Sequence, residues 1–336
     1  MLRAYFLVGV WVLSACGGEE FSYPLDDVLK LEHVQAKGTH NSYHVRTSDS
    51  TLREWDYENG PLDYQAEALG IRQFELDIYR NEYEGVFEVY HFPMLDEETN
   101  CQLLTDCLEA FRVFSDANPA HHPFLVLLEP KFEVEDEVAA QSILDELEAE
   151  VLSVWPEERL VLPDDVIGSA GGLREAVESQ GWPYLGDLRG RGLFVLHTSG
   201  LLRRVYTQED TTAAGRTFFP DAGGNLELPY SSVHAMNDPI GSFDAIGEAV
   251  AAGHLVRTRA DADLFEPRDS DTTRRDAALD SGAHFVSTDV PEPRSDLDYV
   301  VEIPGGTPSR CNPMTAPSSC TSQAIEDPTF IGASHR

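Results

Sequence analysis

Seven side chains stand out for the chemistry that their types and spacing would support. His40 and Asn41 lie in KGTHNSYH (37–44). Glu75 and Asp77 are two apart in IRQFELDIYR (71–80), His91 follows VFEVY, and Glu129 and Lys131 are two apart in PFLVLLEPK (123–131). Asn41, Glu75, Asp77 and Glu129 offer oxygen donors only, and such a set favours Ca2+ or Mg2+ over zinc or copper. Calcium is the expected ion, being abundant outside the cytoplasm and tolerant of irregular coordination. Two histidines beside a cation suit acid–base transfer at a phosphodiester: one takes a hydroxyl proton and the other protonates the leaving oxygen. The cation and Lys131 would stabilise charge on the phosphoryl oxygens. Taken alone, KGTHNSYH also reads as a polar turn in which Gly38 and Asn41 supply backbone freedom.

The elements that must position these residues alternate between strand and helix. Apolar, strand-like runs occupy 33–40, 71–80, 86–92, 123–131, 192–199, 231–238, 254–261 and 283–290. Helical periodicity covers 138–155, 243–252 and 273–281, and LPDD (162–165) marks a turn or a helix start. Alternation of this kind implies an α/β protein with a parallel sheet, and eight strands predict a closed (β/α)8 TIM barrel. In IRQFELDIYR the apolar Phe74, Leu76 and Ile78 share one face, which puts Glu75 and Asp77 together on the other. Glu129 and Lys131 likewise share a face at the end of their strand. Inward carboxylates at two strand ends would be costly unpaired, and they ask for a cation.

Composition bounds the rest. The 336 residues are 42% hydrophobic and 25% charged, as in a globular protein. With 59 acidic against 24 basic residues the formal charge is −35. Such a surface repels nucleic acid and is not drawn to an anionic bilayer. MLRAYFLVGVWVLSAC (1–16) has an early positive charge, an apolar run too short to span a bilayer, and a lipobox-like LSAC ending. It predicts an exported bacterial lipoprotein, lipidated at Cys16 and membrane-anchored in the periplasm or at the cell surface. Residues 17–29 would be a tether, 30–303 the barrel and 304–336 an irregular extension rich in Pro, Ser, Thr and Gly. Removing Cys16 leaves four cysteines in two local pairs, Cys101 with Cys107 and Cys311 with Cys320. These predict two disulfides, not a zinc site. A monomer is expected.

Six segments together carry a resemblance: AKGTHNSYH, GIRQFELDIY, VYHFPM, LLEPK, LVRTRADAD and GAHFVSTDVPEP. In this order, over about residues 30–320, they resemble the bacterial calcium-dependent phosphatidylinositol-specific phospholipases C. The resemblance implies a phospholipase C-like phosphodiesterase barrel that acts on a phospholipid, with Ca2+ as cofactor. It implies His40 and His91 as the catalytic pair, Asn41, Glu75, Asp77 and Glu129 as calcium ligands, and Lys131 as a phosphate contact. It also implies attack by the inositol 2-hydroxyl, departure of diacylglycerol and a 1,2-cyclic inositol phosphate. His91 suits the acid, and His40 suits either the base or a donor to the phosphoryl oxygen, with a metal-bound carboxylate competing for the base role. Arg257 and Arg259 would read the headgroup or form salt bridges with Asp261 or Asp263. Asp289 is a candidate supporting group, His197 is expected as a core or wall residue, and His121 and His122 as surface residues. The competing readings are a glycerophosphodiester phosphodiesterase and a catalytically dead calcium-binding lipoprotein.

Overall fold

The computed structural model describes residues 23–47, 52–305 and 308–327. Cys16, the leader and part of the expected tether lie outside the described residues. Among the described residues no helix is long and apolar enough to cross a membrane.

Ten strands form one sheet: β1 Val34–Thr39, β2 Ile71–Asn81, β3 Val86–Val89, β4 Phe124–Pro130, β5 Gly192–Leu196, β6 Phe219–Pro220, β7 Val233–Ala235, β8 Leu255–Arg259, β9 Phe285–Thr288 and β10 Ser309–Cys311. Eight run in the order β6-β5-β4-β2-β1-β9-β8-β7, and every pair along that path is parallel. A parallel bridge between Asp221 and Val233 joins the two ends of the path. The predicted TIM barrel is therefore present, but its membership differs from expectation. The run 86–92 supplies only β3, which folds back antiparallel on β2 and stays off the barrel path. The missing barrel strand is β6, whose two residues are too short to carry a periodicity.

Helices α1 (Leu62–Ala68), α2 (Leu104–Ala117) and α3 (Glu137–Val154) cover the outer face of β2 and β4. Phe74, Leu76 and Ile78 turn outward into this layer, where the Phe74 ring lies 4.6 Å from that of Phe111 on α2. The alternation of β2 is thus resolved as expected, and Glu75 and Asp77 face the lumen side. The start of α3 is set by Asp136, whose carboxylate accepts from the free amides of Val138 and Ala139. Further along the chain, helices Phe243–Ala251 and Thr273–Asp280 match their periodicities to within a residue.

At the other end of the barrel the C-terminal extension is more ordered than its composition predicts. β10 adds antiparallel to β1. A helical turn follows at Ser322–Ile325, and Glu326 is buried against Arg72. Both disulfides, Cys101–Cys107 and Cys311–Cys320, are present. His121 and His122, expected at the surface, are buried here. They precede β4 underneath the barrel: β10 covers His122, with Ser309 Oγ 2.6 Å from its Nε2, and α2 covers His121, with Ser115 Oγ 2.7 Å from its Nε2.

Candidate active site

The site lies where the parallel strands end. β1 stops at Thr39, and His40 is held level with β9 by its amide, which donates to Thr288 O at 3.1 Å. Asn41 turns the chain with φ of 41°, a conformation that asparagine tolerates better than most residues. Ser42 then stitches the turn to β2: its amide donates to Glu75 O and its hydroxyl accepts from Glu75 N. Gly38 lets β1 approach β2 this closely, because a Cβ there would sit 2.1 Å from Gln73 Oε1. KGTHNSYH is therefore both the polar turn and the segment that presents His40 and Asn41.

Three carboxylates gather beside it. Asp77 and Glu129 are register neighbours on β2 and β4, and Glu75 lies two residues before Asp77. Lys131 donates to Glu129 Oε1 at 2.6 Å and stands 3.3 Å from Asp77 Oδ2. The fully buried Arg257 reaches Glu75 with one arm and Asn237 Oδ1 with the other. Burial pushes the Asp77 carboxyl well above the usual carboxylate range; Lys131 pulls it down, while Glu129 and Glu75 push it up again. Burial acts in the same sense on Glu75, but Arg257 and His40 outweigh it and hold Glu75 low. Three carboxyl groups thus face two cations, and the buried Asp77 has no well-formed hydrogen bond beyond its 3.3 Å ion pair with Lys131. An all-oxygen cluster whose carboxyl groups outnumber its cations and are short of hydrogen-bond partners fits a hard divalent cation such as calcium.

Three histidines line the same end, each fastened by a buried carboxylate. His40 Nδ1 meets Asp289 Oδ1 at 2.7 Å, and the second Asp289 oxygen accepts from Arg259 at 3.0 Å. Burial, reinforced by the Arg259 guanidinium, holds His40 well below the usual imidazole range. His91 Nδ1 meets Asp96 Oδ2 at 2.8 Å. His197 Nδ1 meets Asp221 Oδ2 at 2.6 Å. Burial alone would lower His197, yet the bond to Asp221 and the charges of Asp221, Glu129 and Glu75 raise it. The neutral imidazole favoured at His40 leaves its second nitrogen available as a base. The carboxylate behind His91 favours a proton on Nδ1 and leaves Nε2 for transfer.

The structure brings His40, Asn41, Glu75, Asp77, Glu129 and Lys131 to one end of the barrel. His91 joins them by a different route. It follows the hairpin strand β3 rather than ending a barrel strand, and its ring lies 5.9 Å from that of His44 in the turn after β1. Arg259 pairs with Asp289 instead of Asp261 or Asp263, because Asp261 is spent on Thr288, Tyr299 and the Asp289 amide. Asp289, a candidate support in the sequence, is the direct partner of His40. Asp96, His44 and Asp221 were not legible as site residues. Asp96 lies in FPMLDEET, which has no periodicity, and Asp221 follows the two-residue β6. His44 was visible in the opening motif, but nothing in the sequence says that it points at Asp96.

Comparison with known proteins bears on the family and the fold. The sequence pattern of the family described as phosphoinositide phospholipase C, Ca2+-dependent, matches residues 29–89 and 84–313. No curated protein sequence matches. Among solved structures, the chain is similar to a calcium-dependent phosphoinositol-specific phospholipase C from the Gram-negative bacterium Pseudomonas sp. That match has a TM-score of 0.58 and 19% identity, over 79% of this chain and 91% of that one. A Ca2+-dependent phosphatidylinositol-specific phospholipase C from Streptomyces antibioticus gives 0.56 and 19%, over 77% and 94%. The phosphatidylinositol-specific phospholipase C of S. aureus gives 0.52 and 13%, over 82% and 93%. At these identities the structural likeness establishes the barrel fold, and the family match covers most of the chain. The chain belongs to the family of calcium-dependent phosphoinositide phospholipases C, and is an enzyme of that class with Ca2+ as its cofactor.

Proposed function

We propose that the protein cleaves phosphatidylinositol to diacylglycerol and an inositol 1,2-cyclic phosphate, which water then opens. The observation that carries this reading is the pair of histidines, each backed by a buried carboxylate, beside a cluster of three carboxyl groups that outnumber the cations among them. His40, favoured as the neutral imidazole, takes the proton of the inositol 2-hydroxyl as its oxygen bonds to phosphorus. His91 gives a proton to the diacylglycerol oxygen as the old phosphorus–oxygen bond breaks. Asn41, Glu75, Asp77 and Glu129 would hold calcium, which when bound supplies electrostatic stabilisation of charge on the phosphoryl oxygens. Lys131 contributes a second positive charge there once the ion relieves it of neutralising Asp77 and Glu129. Arg259, fixed by Asp289, is placed to meet the headgroup.

The surroundings suit a lipid rather than a soluble diester. The turn after His91 exposes Phe92, Met94 and Leu95, with Met94 89% accessible. Trp55 stacks against Phe92 at 6.2 Å. Phe243 and Phe265, the first residues of the helices that follow β7 and β8 at the same end of the barrel, are exposed as well. An apolar rim of this kind is suited to the acyl region of a membrane. Export and anchoring through Cys16 would present the enzyme at such a surface, which fractionation of the full chain and a Cys16→Ser variant would test.

The reading is tested by offering the purified protein phosphatidylinositol and, separately, glycerophosphoinositol, with calcium and with excess chelator, and following products by phosphorus NMR. The cyclic phosphate is expected to appear first, from phosphatidylinositol, in calcium only. Preferential cleavage of glycerophosphoinositol to a non-cyclic product would replace the phospholipase reading with the glycerophosphodiesterase one. Turnover undiminished by chelator would remove calcium from the proposed chemistry.

A further inference from the structure

We infer that Asp96 is the positioning residue for His91, and that His44 behind it fixes the carboxylate in the orientation that His91 needs. This rests on the reading of His91 as the proton donor to the leaving oxygen. One carboxylate oxygen, Asp96 Oδ2, meets two imidazoles: His91 Nδ1 at 2.8 Å and His44 Nε2 at 2.9 Å. Asp96 and His44 have no exposure, whereas the His91 side chain is about a quarter exposed. The imidazole therefore has its Nδ1 edge tied to a sealed group, leaving the Nε2 edge to face the mouth.

The chain is folded locally to make this contact. Phe92 and Asp96 exchange both backbone hydrogen bonds at 2.9 Å, closing a tight turn in which Met94 takes a φ of 65°. That turn returns Asp96 to the level of His91, five residues after it. His44 is fixed in its own right: its amide donates to Asn41 O, its carbonyl accepts from Asn59 N, and the Tyr57 ring lies 4.5 Å from its imidazole. Trp55 meets the His91 ring edge-on at 5.7 Å and sets its plane. Burial would raise the Asp96 carboxyl, but the two histidine hydrogen bonds outweigh it and hold Asp96 low, so the group is an anion.

An anion with no exposure is costly unless its charge is used. Here the second oxygen, Oδ1, has no hydrogen-bond partner, as does His44 Nδ1. A clip serving only the fold would satisfy more of these atoms. The arrangement instead concentrates the charge on the one oxygen that His91 touches. That fixes the ring with a proton on Nδ1, so that it is Nε2 that faces the departing oxygen and passes it a proton.

The test compares leaving groups. The full chain and its Asp96→Asn, His44→Gln and His91→Ala variants would be assayed with calcium on two soluble substrates: a short-chain phosphatidylinositol below its micelle concentration, and the p-nitrophenyl ester of inositol 1-phosphate. The aryl oxide leaves without help from a proton, and the alkoxide does not. Asp96→Asn is expected to cut kcat on the lipid by about 100-fold or more. KM and calcium midpoint should stay within about twofold, and kcat on the aryl ester within about fivefold. His44→Gln should show the same selectivity at about tenfold. It carries the test alone if Asp96→Asn does not fold. Equal losses on both substrates, or wild-type rates on the lipid, would overturn the positioning role. If His91→Ala also loses equally on both, the acid assignment fails with it. If His91→Ala is selective and the Asp96 and His44 variants are not, the positioning role alone is wrong.

Discussion

At the end of the barrel where the parallel strands begin, Arg72 and Glu326 are both fully buried. They meet through two side-chain hydrogen bonds of 3.1 and 2.6 Å, and the Arg72 guanidinium also donates to Ala66 O and Ile71 O. His122 and Ser309 close the same group. At the end where the strands finish, Asp77 is equally buried, yet it has no well-formed hydrogen bond beyond its ion pair with Lys131, which it shares with Glu129. Burial of charge is common to both ends; balance is not. A matched buried pair ties the C-terminal extension to β2 and leaves nothing for a ligand. An unmatched cluster stores a demand for positive charge, which is what a cation site requires.

The contrast is most directly broken at the matched end. Glu326→Gln removes the carboxylate charge that the buried Arg72 meets. It should cost about 3–5 kcal/mol of stability, read as a lower denaturation midpoint, while kcat of the folded fraction stays at the wild-type value. A loss of kcat with stability intact would mean that this end too serves the reaction.

At the unmatched end the sign reverses. Asp77→Asn removes a charge that Glu75 and Glu129 repel, so without calcium the variant should be no less stable than wild type. Its calcium midpoint for phosphatidylinositol cleavage should rise tenfold or more, about 1.4 kcal/mol per decade. A destabilised variant with an unchanged calcium requirement would place Asp77 among the structural charges.

The smallest effect concerns pH. His284, at the start of β9, accepts from Val256 N with Nδ1 and donates to Glu32 O with Nε2, so the buried ring is satisfied only when neutral. Burial holds it down at about 4. The folded state therefore binds fewer protons than the unfolded one between that value and the ordinary 6.5. Its stabilising contribution is complete above 6.5 and is lost as pH falls toward 4. Between pH 7 and 6 the loss is on the order of 1 kcal/mol. His284→Gln should flatten that part of the stability profile relative to wild type, and an identical slope in the two proteins would remove His284 from the pH response.

How much of this was legible follows from how local each determinant is. The two-residue alternation of β2 alone separates Phe74, Leu76 and Ile78 from Glu75 and Asp77, because strand side chains must alternate whatever the surroundings. The same local rule places Glu129 beside Lys131, and the repeated strand–helix pattern specifies the barrel. The spacing of the cysteines predicts both disulfides. Errors arose where pattern was short or misleading. β3 has the composition of a barrel strand but ends in a hairpin, and β6 is too brief to read. His121 and His122 sit in a polar turn that is covered by α2 on one side and by the returning β10 on the other.

What tertiary structure alone decided is which charges meet. His40 and Asp289 are 249 residues apart, and Glu75 and Arg257 are 182 apart. Their pairing depends on the parallel register of β1 with β9 and on closure of the barrel. Even Asp96, five residues from His91, reaches it through a turn that no periodicity announces. The sequence by itself determined the chemical types present, the faces they occupy and the fold that gathers them. The folded chain decided which histidine is held neutral, which carboxylate has an arginine beside it and which has none. The physical reason is that a side chain's face follows from local backbone geometry, whereas its charge state follows from burial and from neighbours brought in by distant segments.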